Sequence, residues 1–257
     1  MKAAGLFDFL RNPVEHIKEF IEPVPTKLNN ISTKTLNEYG NNLIKRMMII
    51  RSPLKSHWEN ALNVISMGKL KELQNKYGFD KLFHLSLIVE VQDEHGLFHN
   101  IIIEKNEVVH IAPFDKQRYT DEKTEYLNVP INKNITLNEL INNTKKSMGD
   151  KLFYDYDAFG TNGKPANNCQ NFLLHIINSN GLGTNETTKF IYQDISKITK
   201  HLNNSEFNYV PQAVYNITRL GSHVSRLLGK GKDKIENNIK ISNDLKKFID
   251  DGGFAFI

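Results

Sequence analysis

Cysteine occurs once in these 257 residues, so an internal disulfide framework is excluded and a reducing compartment is compatible. There is no CxxC pair and no HExxH motif, and the nine histidines are scattered. No metal and no cofactor are therefore expected. A glycine-rich phosphate loop is missing too, and so is any apolar run long enough to span a bilayer. The first residues lack the basic start and unbroken apolar core of a secretory signal, so the cytoplasm is the expected location. Excess charge is small: 33 Lys and Arg against 29 Asp and Glu leave +4. The two signs are interspersed and no aromatic-basic platform appears, which argues against nucleic acid as a partner. With 39% hydrophobic residues the chain can bury a core, and its length suits one large domain with extensions.

The apolar residues divide the chain by their spacing. In residues 1–24, Leu6, Phe7, Leu10, Val14, Ile17 and Ile21 recur at helical intervals, broken at Asn12-Pro13 and stopped at Pro23 and Pro25. Residues 3–21 thus form an amphipathic stripe that suits a membrane surface or packing on the domain. Residues 25–79 read as a helical extension, with Leu36, Tyr39, Leu43, Met47 and Ile50 on one stripe. The pattern changes at Phe83. A strand to Val91, a turn at Asp93 to Gly96, a strand from Leu97 to Ile103 and another from Val108 to Ile111 make an antiparallel meander. A further strand is expected over Glu125 to Val129. Thr136, with Glu139 three residues on, heads a helix to about Met148. Residues 151–157 read as an aromatic strand or loop. A helix from about Cys169 to Ser179 stops at Asn180-Gly181. Residues 184–257 read as a C-terminal helical extension, with helices at 187–203, 211–229 and 241–250, whose faces suit protein partners. The expected fold class is α+β, an antiparallel sheet over residues 82–112 and 125–129 packed on the Cys169 helix.

Cys169 stands where a polar, turn-forming stretch enters that helix. The first turn of a helix offers free N–H groups and the positive end of the macrodipole, and both favour thiolate, the nucleophilic form. The alternative is a small buried hydrophobe. A thiol that attacks a carbonyl needs a base beside it and a third group to orient the base. His84, at the start of the first strand, is the candidate base, on one face with Ser86 and Ile88. Two residues compete for the third place. If the hairpin turns at Asp93 to Gly96, residues near 104 to 106 fall opposite His84, so Glu104 can face it. His110 is the odd polar residue in Val108-Val109-His110-Ile111-Ala112-Pro113. His95 and His99 flank the turn, and His57 and His175 fit helix faces.

A strand histidine, a Val-Val-His-Ile-Ala-Pro run and Asn168-Cys169-Gln170-Asn171-Phe172 at a helix start, in that order, resemble the circularly permuted papain-like thiol proteins. These include the lecithin retinol acyltransferase family, its small phospholipase/acyltransferase relatives and, more distantly, the NlpC-type cell-wall peptidases. The resemblance covers about residues 80–183. It implies a papain-like core, with Cys169 as nucleophile, His84 as base and His110 as orienting group, and a lipid ester or peptide amide as substrate. Two features depart from the pattern: an extra strand separates His84 from His110, and Gln170-Asn171 replace the familiar Glu-His. The Asn- and Lys-rich insertions and helical extensions resemble versions encoded by large DNA viruses, which implies a virion as an alternative location and a non-catalytic scaffold as an alternative role.

Overall fold

The structure is a computed structural model, described here for residues 26–54, 66, 68–78, 82–106, 108–115, 123–161, 164–192, 200–201, 211 and 214–215. The amphipathic stripe of residues 3–21 and the helix expected at 241–250 lie outside the described residues, as does most of the helix expected at 211–229.

Helix α1 (Asn30–Tyr39) opens on Asn29, whose side chain accepts the Ser32 N–H at 2.8 Å. The stripe expected to continue through Leu43, Met47 and Ile50 does not. Helix α1 ends at Gly40, and Leu43–Pro53 is strand β1. The register slips between Ile44 and Arg46, so an irregularity interrupts the two-residue alternation, and the three-residue gap from Met47 to Ile50 imitates a helix. The β-branched Ile49 and Ile50, both fully buried, favour the strand.

Strand β1 pairs antiparallel with β2 (Phe83–Gln92) on one side and β5 (Glu125–Val129) on the other. Strands β3 (Phe98–Lys105) and β4 (Val109–Pro113) extend the sheet beyond β2, in the order β4-β3-β2-β1-β5. Residues 25–79 are thus no helical extension: they hold a central strand, and only α1 and α2 (Lys69–Tyr77) are helical there among the described residues. The β2–β3 hairpin turns where expected. Asp93 Oδ1 accepts the N–H groups of His95 and Leu97, at 2.9 and 2.8 Å, and Gly96 adopts a positive φ of 79°.

Helices α3 (Leu137–Met148), α4 (Asp150–Tyr154) and α5 (Cys169–Ser179) cover one face of the sheet. Leu85, Leu87, Ile101 and Ile103 meet Phe153, Phe172, Leu173 and Ile176 in one buried cluster. Burying each such side chain contributes about 1.5–3 kcal/mol. The Thr136–Glu139 capping box of α3 forms as expected. Of residues 151–157, expected as strand or loop, 151–154 belong to the short helix α4. Helix α6 (Asn185–Ile191) begins the segment expected to be helical from 187, and residues 193–199 lie outside the described part.

The β4 edge is sealed from α1. Ser32 Oγ accepts the Ile111 N–H at 2.9 Å and donates to the Val109 carbonyl at 3.3 Å, so it stands in for a neighbouring strand. Among the described residues no helix is long and apolar enough to cross a membrane.

Candidate active site

Helix α5 is built to begin at Cys169. Its N-cap Asn168 accepts the N–H groups of Gln170 and Asn171, at 3.0 and 3.3 Å, and donates from Nδ2 to the Ala158 carbonyl at 3.1 Å. The approach to this cap is locked as well. Asp157 and Asn167 exchange backbone hydrogen bonds of 3.0 and 2.7 Å. The Asp157 carboxylate accepts Gly160 N–H, Thr161 N–H and Thr161 Oγ1–H within 2.9 Å. Burial nonetheless pushes its carboxyl up, against the pull of those bonds. Gly160 has φ of 79°, and a Cβ there would run into the Lys164 carbonyl.

The partner of the thiol comes from the sheet. Strand β2 pairs with β1 as far as Phe83 and Pro53, but its ladder with β3 ends at Ser86 and Glu104. His84 and Leu85 therefore lie where the sheet has opened on the β3 side. The thiol is coupled to this opening: the His84 side chain and the backbone N–H groups of Leu85 and Gln170 all favour the Cys169 thiolate. His84 Nε2 lies 3.1 Å from Glu104 Oε2, and Ser86 Oγ donates to the same oxygen at 3.1 Å. With Nε2 held by the carboxylate, Nδ1 is the nitrogen left to face the sulfur.

All three groups are enclosed: Cys169 is 6% exposed, and the side chains of His84 and Glu104 are 14% and 3% exposed. Burial pulls the imidazole toward neutrality, but the hydrogen bonds and charges of Cys169 and Glu104 outweigh it and push His84 up to about 10. Burial likewise raises the thiol, and the His84 hydrogen bond and charge, with the two backbone N–H groups, bring it below its ordinary value. Each group thus favours the charged form of the other.

Cys169 and His84, singled out from the sequence, come together. His110 does not take the orienting place expected for it; Glu104 does. The extra strand decides this. It makes β3 the neighbour of β2 and moves His110 to β4, directly across from Glu104 and one strand further from His84. Glu104 is paired with Ser86 rather than with His84, so it reaches the imidazole diagonally. Among the other histidines, His99 Nε2 lies 2.8 Å from Asp93 Oδ2 and His175 Nδ1 lies 3.2 Å from Ser147 Oγ. His57 is outside the described residues.

Sequence reasoning missed Lys105. Its Nζ donates to the Leu152 carbonyl at 2.5 Å and to Asn167 Oδ1 at 3.0 Å, and it is wholly buried. The signal was available: Lys105 alternates in phase with Ile101 and Ile103, which face the core. No cluster of His, Cys, Asp and Glu among the described residues could hold a metal ion. No protein-family model, no curated protein and no solved structure matches this chain.

Proposed function

We propose that the chain is a thiol-dependent acyl-transfer enzyme, a hydrolase or acyltransferase that works through an acyl-thioenzyme at Cys169. The observation that carries this reading is the contact of Glu104 with His84, together with the coupling of His84 to a thiol at the first position of a helix. The order along the chain, base before nucleophile, fits the permuted papain-like arrangement that the motifs resemble.

In this mechanism the Cys169 thiolate attacks the carbonyl carbon of an ester or amide. The carbonyl electrons move to oxygen, and the backbone N–H of Cys169 itself, at the α5 start, receives the oxyanion. Its collapse expels the leaving alcohol or amine, which takes the proton of the His84 imidazolium. The thioester remains on sulfur. Neutral His84 then removes a proton from water or an acceptor alcohol, which attacks the thioester and regenerates the thiolate. Glu104 keeps the imidazole oriented and favours its charged form. Lipid esters and peptide amides both satisfy this chemistry.

The test is alkylation of the full chain by iodoacetamide near pH 6, followed by mass spectrometry of the Cys169 peptide. A free thiol is about 99% protonated there, since its pKa is near 8.5. Rapid labelling that slows at least tenfold in His84→Ala supports the enzyme. A thiol as slow as glutathione, and indifferent to that change, leaves the alternative of a non-catalytic scaffold.

A further inference from the structure

Lys105 is a buried ammonium in an unfavourable place. Its Nζ lies 5.7 Å from the centre of the Phe172 ring, and Phe172 is one turn into α5. The ammonium thus sits under the positive end of a helix, in the protein interior, where both burial and the macrodipole work against it. Two of its three N–H donors are committed, to Leu152 O and Asn167 Oδ1. Asn167 in turn donates from Nδ2 to the carbonyls of Leu152 and Asp155, at 2.9 and 2.8 Å. The lysine head, the amide and the two carbonyls form one closed network just before the N-cap of the nucleophile's helix.

A hydrophobic residue in phase with Ile103 would fill the same space without burying a charge. The titratable groups that act on Lys105 through their charge explain what a cation offers. On the loop after α4 stands Asp155, held in turn by the Tyr215 hydroxyl at 3.2 Å. On α5 stand Cys169 and His175. Burial draws the lysine down to about 7, while the charges of Asp155 and the Cys169 thiolate oppose that. His175 is lowered by burial and by the lysine's charge.

We propose that Lys105 is a positioning residue for the thiol: its ammonium clamps Asn167 to fix the entry of α5, and its charge stabilises the Cys169 thiolate alongside His84. This rests on the reading of Cys169 as a nucleophile. It adds a second cation to the site, approaching from the core side of β3 while Glu104 serves the imidazole from the neighbouring position.

The experiment follows the iodoacetamide rate at Cys169 from about pH 4 to pH 9 in the full chain. Lys105→Gln keeps a donor for the two oxygens and removes the charge; Lys105→Arg keeps the charge. The acid limb of the wild-type profile should move up by roughly one pH unit in Lys105→Gln, a tenfold slower rate below the limb that converges above it. Lys105→Arg should keep the wild-type midpoint. A merely structural lysine would lower the melting temperature and leave the limb in place. Should the glutamine variant not fold, the wild type supplies a second reading. With 13C-labelled lysine, the Lys105 titration followed by NMR should drop when Cys169 is capped as the neutral carbamidomethyl thioether, because coupling between two sites is mutual. A reactive wild-type thiol with an unmoved limb, or an unmoved lysine titration, overturns the role of Lys105 alone. An inert wild-type thiol overturns both readings.

Discussion

At the scale of single residues, the candidate site is a thiol and an imidazole enclosed beside a carboxylate, and its pH dependence follows from the direction of the two shifts. The thiolate is lost as pH falls through the depressed value of Cys169, and the imidazolium is lost as pH rises through about 10. The rate of the proposed acyl transfer should therefore be flat between those limits, with its alkaline limb near 10. Glu104→Gln keeps an acceptor for His84 and Ser86 but removes the negative charge. The alkaline limb should then fall by roughly 1–2 units, since an adjacent opposite charge is worth about that much. A limb that stays in place would show that the carboxylate orients the ring without charging it.

Elements explain which parts of this were readable. The Cys169 helix declared both its ends, because an Asn cap and an Asn-Gly stop are local chemistry. The hairpin was equally plain, since Asp93 and Gly96 fix the turn by their own hydrogen bonds and dihedral angles. Strand β1 was hidden, because the slip after Ile44 destroys the alternation that announces a strand. The choice between Glu104 and His110 depended on which strand lies beside β2, and that is a property of the sheet, not of any short motif. Lys105 was passed over because a charged residue in a core phase reads as an exception until its partners are seen.

Two elements give predictions of their own. In the loop that leads to Cys169, Gly160→Ala imposes a side chain on a positive φ and against a backbone carbonyl. It should cost about 1–3 kcal/mol of stability and slow the alkylation of Cys169 several-fold, with melting and labelling rates measured on the same sample. At the sheet edge, Ser32→Ala leaves the Ile111 N–H without its acceptor. The expected loss is about 1–3 kcal/mol in urea unfolding, with the labelling rate of Cys169 unchanged. Equal stability of that variant and the wild type would mean that water replaces the hydroxyl at the edge.

At the scale of the whole molecule, the sheet is wrapped by segments far apart in sequence. Helix α1 seals the β4 edge, and the helices that follow β5 cover the core face. Residues 3–21 lie outside the described part of the structure, and the spacing of their apolar residues suits a membrane surface. Flotation on anionic liposomes should be lost when residues 1–24 are removed. Equal flotation of both chains would assign membrane contact elsewhere, and none in either would leave the stripe to protein contacts.

The proposed catalytic pair joins two parts of the chain that differ in the order of their synthesis. His84 and Glu104 are only 20 residues apart and belong to one hairpin, whose contacts are local and quick to form. The thiol belongs to a helix that leaves the ribosome long afterwards and must close a far larger loop to reach them. While the chain grows, the base and its carboxylate can be in place with no sulfur beside them. The proposed nucleophile would become reactive only when α5 docks. On the proposed reading, the fold keeps an easily oxidised thiol in its inert form until the thiol's own helix reaches the sheet.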